Sequence, residues 1–311
     1  MAVPVGMAGG FLAEQVVEWA GAHYSGRMPT LPSGHGPDRG SRASGAEPHR
    51  ARDMAESFGA DPARYDRTRP RYPEELIARI AAGAEGSRGA GGAVLDVGVG
   101  TGIVARRLRA AGCRVLGLDV DARMAAYARR DGLDVEVAPF EDWDPAGRRF
   151  DAVVAGQTWH WIDPVAGAAK AAAVLRPAGR IAVFWNVSRP AADVAGALGA
   201  AYREALPDAP LNPWSRTALD GHSAIVDRTA DGIRRAGAFG EPEEWRYGWE
   251  RTYTRDEWLD QLPTGGGMAR IPPDRRAALL DATAAAVDSL GGAFPMRYTA
   301  LAVTAVVQAR V

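Results

Sequence analysis

Three short groups of residues carry most of the chemistry in this 311-residue chain. In the first, Val94-Leu95-Asp96-Val97 has strand character and runs into Gly98-Val99-Gly100-Thr101-Gly102. Ile103 to Ala111 then places Val104, Leu108 and Ala111 at helical spacing. A strand, a glycine turn and a helix start bring free backbone N–H groups and a positive dipole end to one place. Glycine there lets the backbone touch a ligand where a Cβ would collide. Such a turn suits a nucleoside-like small molecule. In the second group, the strand Arg114 to Asp119 ends in an acid seventeen residues after Gly102. A carboxylate at that tip can accept hydrogen bonds from both ribose hydroxyls; the other reading is a helix N-terminal acid before Ala122. The third group, Gln157-Thr158-Trp159-His160-Trp161, follows a strand at Phe150 to Ala155. Ligands of open α/β sheets bind beyond the carboxyl ends of strands. An imidazole with an ordinary pKa of about 6.5 suits proton removal at neutral pH. His160 is therefore either a general base or a residue that orients a neighbour.

The glycine spacing separates the ligands such a turn could take. A dinucleotide fingerprint needs G-x-G-x-x-G, and Ile103 stands at its third position. A P-loop needs Gly-Lys-Ser or Gly-Lys-Thr, and the sole lysine is Lys170. The D-x-G-x-G-x-G form resembles the first motif of the class I S-adenosylmethionine-dependent methyltransferases. Asp119, Phe140-Glu141-Asp142-Trp143 and Leu175-Arg176-Pro177-Ala178-Gly179-Arg180 extend that resemblance, with Ala178 replacing one glycine of the usual pair. Tyr65 to Pro73 resembles the N-terminal element of a branch that includes trans-aconitate methyltransferases. The resemblance covers about residues 57 to 311.

The resemblance implies an α/β fold, a doubly wound, mainly parallel seven-stranded Rossmann-like sheet with a helical cap insertion. It implies S-adenosylmethionine as cofactor and a small-molecule acceptor, methylated on a carboxylate or hydroxyl oxygen by in-line displacement. Methylation at nitrogen or carbon in natural-product tailoring, and S-adenosylmethionine binding without transfer, stay as alternatives. Carried residue by residue, Asp96 holds the methionyl ammonium through a water or a loop amide, and Tyr65 and Arg69 meet its carboxylate. Gly98, Gly100 and Gly102 form the turn, and Asp119 holds the ribose. Phe140 and Glu141 meet the adenine, and Gln157 lends backbone contacts near the methionyl part. His160 then faces the transferable methyl, with Trp159 and Trp161 against the substrate. No metal is required.

Alternating helix and strand from 74 to 185, with helices at Glu74 to Ala82 and from Asp163-Pro164, position these groups. The fifth strand is expected over Ile181 to Trp185. Residues 1–56 read as an extension, with one amphipathic helix over Phe11 to Ala22 and a Gly-, Pro-, Ser- and Arg-rich remainder that favours disorder. Residues 57–186 are expected to form the cofactor-binding core, 187–275 the cap and 276–311 a helix and strand completing the core. Trp214, Trp245, Trp249 and Trp258 in the expected cap either wall a substrate or pack the cap to the core. His222 reads as a loop residue, and Arg297-Tyr298 as a strand-entry pair.

Lys and Arg number 37 against 38 Asp and Glu, a net charge of −1 that gives no footprint for nucleic acid. One cysteine, Cys113, excludes an intrachain disulfide framework and a cysteine-rich zinc site. No apolar run reaches the roughly 18 residues of a membrane span. The chain reads as cytoplasmic, with no membrane partner, as a monomer or homodimer.

Overall fold

The computed structural model describes residues 56–84, 91–209, 211–215 and 222–308. The expectations for residues 1–55 lie outside them. Seven strands form one sheet: β1 Ala93–Val97, β2 Arg114–Asp119, β3 Asp134–Val137, β4 Phe150–Gly156, β5 Leu175–Pro190, β6 Glu243–Thr254 and β7 Ala293–Val306. Their order is β3-β2-β1-β4-β5-β7-β6. Strands β1 to β5 pair in parallel, and β7 runs antiparallel between β5 and β6. The chain winds outward from β1 through β2 to β3, then returns to place β4 on the other side of β1. That reversal opens a crevice at the carboxyl ends of β1 and β4, where ligands of such sheets lie.

The sheet separates two layers of core because successive strand side chains point to opposite faces. Leu95 and Val97 pack on one face with Val153, Val183 and Trp159, while Val94 packs on the other with Ile77, Ile80 and Val154. The expected helices hold, at Glu74–Ala84, Ile103–Ala110 and Pro164–Val174. Asp163 caps the last of these, accepting from the Val165 and Ala166 N–H groups.

The region after β5 departs from its expected form. β5 continues five residues past Trp185, because it gains β7 as an antiparallel partner out to Pro190. Within the expected cap, residues 243–254 are β6, a sheet strand. Trp245, Tyr247 and Trp249 alternate along it toward the helix Glu74–Ala84, a period of two that helical patching does not fit. The remaining helices, Ala192–Ala205, Arg255–Gln261 and Pro273–Ser289, enclose Trp214 and Trp258 in their own apolar clusters. His222 opens the helix His222–Arg235 instead of sitting in a loop. Arg297 lies within β7 opposite Glu250 and forms an ion pair with it.

Candidate functional site

A cavity of about 180 Å³ opens at the carboxyl ends of β1, β2 and β4. One end is built by β1 and β2. Asp96 and Asp119 sit there with Gly98 and Gly100, and Phe140 and Glu141 follow from the loop after β3. The other end is built by the loop after β4, which brings Gln157, His160 and Trp161. The helix Pro62–Thr68 and its C-terminal residue Arg69 add Tyr65 and Arg69. Eleven of the thirteen residues expected at the site thus line one cavity.

Gly102 and Trp159 do not. Gly102 starts the helix Ile103–Ala110 at φ 91°, and a Cβ there would strike Leu133. Its role is to let the chain turn and the helix pack. Trp159 is 1% exposed and turned into the sheet core, with its ring 6.2 Å from Phe140. A one-turn 3₁₀ helix over Trp159–Trp161 sends Trp159 inward and leaves His160 and Trp161 facing the cavity. Substrate contact by Trp159 is therefore corrected to core packing.

The glycine turn also differs from a simple rack of free donors. Gly98 and Val99 N–H groups donate to the Leu118 carbonyl, and Gly102 N–H donates to the Val99 carbonyl. Gly100 N–H donates to Asp119 Oδ2 at 2.7 Å, and Asp121 N–H to Asp119 Oδ1 at 2.8 Å. Asp96 accepts from the Ala105 N–H, in the first turn of the helix. The positive end of that helix thus meets a carboxylate of its own chain. The place where a dinucleotide's pyrophosphate would sit is thus taken by a side chain of the protein itself.

Both carboxyls are buried and perturbed. Burial, with the Asp119 charge beside it, pushes Asp96 up to about 8. Burial raises Asp119 to about 6, opposed by its backbone hydrogen bonds. His160 moves the opposite way. Both ring nitrogens are buried, and that burial, with the positive charge of Arg228, lowers it to about 3. The imidazole is neutral at pH 7 and far less basic than the ordinary value anticipates.

Asn186 and Thr158 line the cavity without having been assigned a site role from the sequence. Asn186 lies on the extension of β5 and joins four elements. Its Nδ2 donates to the Arg71 carbonyl at 3.1 Å, its Oδ1 accepts from Trp249 Nε1 at 3.1 Å, and its carbonyl accepts from Gln157 Nε2 at 3.3 Å. A polar residue just past a buried parallel strand was the available signal. Thr158 donates within reach of the Gly98 and Gly156 carbonyls, locking the β4 loop to the glycine turn. Gln157 between them holds φ 61°, a conformation rare outside glycine.

The helix Pro62–Thr68 is anchored to distant chain. Arg64 and Arg67 both grip Asp260, and the Arg69 guanidinium donates to the Thr264 carbonyl while lying 4.7 Å from the Tyr65 ring centroid. None of Trp214, Trp245, Trp249 and Trp258 lines the cavity, so packing is the reading the structure supports for all four. Among the described residues no cluster of His, Cys, Asp and Glu has a metal-holding arrangement, and no helix is long and apolar enough to cross a membrane.

Residues 94–179 match the methyltransferase domain family. An uncharacterized methyltransferase of Mycobacterium tuberculosis is 37% identical over 142 residues, covering 43% of this chain and 54% of the relative. The chain thus spans about half the length of that curated relative. A ubiquinone biosynthesis O-methyltransferase of Alkalilimnicola ehrlichii is 28% identical over 184 residues, 56% of this chain and 72% of that protein. A solved structure from Anaeromyxobacter dehalogenans, named as a candidate type II methyltransferase, superposes with a TM-score of 0.53 at 24% identity, over 77% of this chain and 97% of the other, a likeness of fold. The glycine turn and the two acids converge at the switch point of this sheet, and residues 94–179, which contain that turn and both acids, carry the match to the methyltransferase domain.

Proposed function

We propose that this protein transfers the methyl group of S-adenosylmethionine to an oxygen of a small-molecule acceptor, a carboxylate or a hydroxyl. The observation that carries the reading is the charge pattern at the glycine turn. The helix N-terminus is already met by Asp96, whose Oδ2 is buried without a hydrogen-bond partner among the described residues. An acid so placed is suited to a cation such as the methionyl ammonium and unsuited to pyrophosphate. Gly100 leaves open space where a Cβ would stand, which suits close approach of a ligand.

Each remaining part of the cofactor finds a matching group. Every carboxylate oxygen has two lone pairs, so Asp119 accepts its two backbone bonds and still has capacity for both ribose hydroxyls. Arg69 offers a planar guanidinium to the methionyl carboxylate, with Tyr65 beside it. Phe140 lines the adenine site, and Glu141 is exposed at its rim to accept from the adenine amino group. Gln157 serves the methionyl end through its backbone.

The bound cofactor supplies a methyl activated by the sulfonium, and the chain's task is alignment. Alignment alone supplies effective molarities of about 10⁵–10⁸ M. Gln157, His160, Trp161 and Asn186 shape the acceptor end. A neutral imidazole lowered to about 3 positions the acceptor and does not deprotonate it. An acceptor oxygen already ionised at pH 7 needs no base, so carboxylates are the favoured acceptors. The name of the Alkalilimnicola ehrlichii relative, an O-methyltransferase, agrees with an oxygen acceptor.

The test is incubation of the purified chain with S-adenosylmethionine and separate panels of carboxylic acids, phenols and amines, with S-adenosylhomocysteine and methylated product followed by mass spectrometry. Turnover with acids or hydroxyl compounds is expected. Product confined to amines or carbon acids would overturn the oxygen assignment, and cofactor binding without turnover in any panel would favour a non-methylating binding protein.

A further inference from the structure

The least explained group in the cavity is the second oxygen of Asp96. The residue is 1% exposed, and its Oδ2 has no hydrogen-bond donor among the described residues. The groups around it are known from every side. From β2 comes another carboxyl, Asp119, and from the helix Ile103–Ala110 a backbone N–H. The arginines on that helix look elsewhere: Arg106 holds Asp66 and Asp131, Arg107 holds the Tyr72 carbonyl and Glu74, and Arg109 donates to the Gly132 carbonyl. Across the cavity stand Tyr65, Arg69, Tyr72, Glu141 and His160, with Arg69 donating to the Thr264 carbonyl. The charge acting most on Asp96 is thus another acid.

Two buried carboxyls side by side do not both stay ionised without a cation between or beside them. We propose that Asp96 carries a proton while the cavity is empty and surrenders it when the ligand's ammonium arrives, making cofactor binding a proton-for-cation exchange. The proton on Oδ2 passes to the buffer, and the ammonium then donates to the same oxygen, so net charge at the site is unchanged. The assignment rests on the cofactor reading above. Asp119 differs because backbone donors occupy both its oxygens, and they favour its ionised form.

The exchange has a measurable size. With Asp96 pushed up to about 8, binding at pH 7 releases on the order of one proton, and affinity rises close to tenfold per pH unit below that value before levelling above it.

The experiment has two arms. Infrared titration of the ligand-free protein is expected to show a protonated-carboxyl band at pH 7 that fades by pH 9.5 and is missing from D96N. Absence of that band in the native protein overturns the proposal whatever the ligand. Calorimetry with S-adenosylhomocysteine in buffers of different ionisation enthalpy is expected to give release of about one proton at pH 7, lost in D96N. Binding without proton release overturns the exchange and leaves the cofactor reading standing. A band without binding of either S-adenosylhomocysteine or S-adenosylmethionine overturns the cofactor reading, and the exchange with it. Should D96N not fold, D119N serves in its place: removing the neighbouring charge is expected to move the band's midpoint to lower pH, and an unmoved midpoint counts against the pair.

Discussion

At the β1–β2 end of the cavity, two carboxyls are held by backbone N–H groups within one short stretch of chain, residues 93–121. At the β4–β5 end the polar groups are neutral, and they are tied together by side chains from four separate stretches of chain. The first end is local, charged and self-contained. The second is assembled over long range, with Asn186 reaching Arg71 and Trp249, so its geometry depends on β6 and on the segment after the helix Pro62–Thr68. The division suits an enzyme that holds an invariant cofactor at one end and a chain-specific acceptor at the other.

Breaking the local end has the largest expected effect. Asp119→Ala removes the proposed ribose acceptor and also frees the Gly100 N–H, so cofactor affinity should fall about a hundredfold or more, since hydrogen bonds to charged groups contribute roughly 1.5–3 kcal/mol each. Calorimetry with S-adenosylhomocysteine checks it, and unchanged affinity would remove Asp119 from the ribose role.

The two ends should also answer pH with opposite signs. Asp96 is raised on folding, so the stability it contributes is full below the ordinary carboxyl range and is lost as pH rises through about 8. His160 is lowered, so its contribution is full above the ordinary value of about 6.5 and is lost as pH falls toward about 3. Thermal unfolding of the ligand-free protein across pH 4 to 9 should show both limbs. D96N should flatten the alkaline limb only, and H160Q the acid limb only. A variant that flattens both would mean the ends are not independent.

The same contrast explains what could be read from sequence. The spacing of Asp96, Gly98, Gly100 and Asp119 is a local pattern, and all four residues meet at the cavity. Gln157, His160 and Trp161 were reachable because they follow directly on a legible strand. Trp159 was misplaced because a three-residue 3₁₀ turn decides which of two adjacent tryptophans faces inward, and no periodicity over so short a run records it. Asn186 was missed because its position depends on how far β5 runs, which is set by pairing with β7, more than a hundred residues away. The β6 strand was hidden for a similar reason. Its alternating aromatics signal a strand only once a partner strand and the helix Glu74–Ala84 supply the faces between which they alternate.

Asn186→Ala probes the long-range end with an intermediate effect. It strands the Trp249 Nε1–H and removes the donor to the Arg71 carbonyl, but it touches neither Asp96 nor Asp119. Turnover should drop about tenfold while the affinity for S-adenosylhomocysteine stays within about twofold, as expected for loss of roughly 1–2 kcal/mol of positioning. Equal losses in both quantities would mean that the two ends communicate.

The smallest change sharpens the comparison by lying outside both ends. Ala178, in the turn Arg176 to Gly179 within β5, holds φ 61°, where glycine resides without strain. A left-handed alanine costs about 1–2 kcal/mol, and the added freedom of glycine in the unfolded chain takes back about 0.4–1 kcal/mol of any relief. Ala178→Gly should therefore raise stability by about 0.5–1 kcal/mol in denaturant titration, with cofactor affinity and turnover unaltered. The turn lies at the amino end of the β5 segment paired with β4, away from the carboxyl ends that open on the cavity. A gain in stability accompanied by altered turnover would show that the length and twist of β5, and through them the placement of Asn186, are set from this turn as well as by pairing with β7.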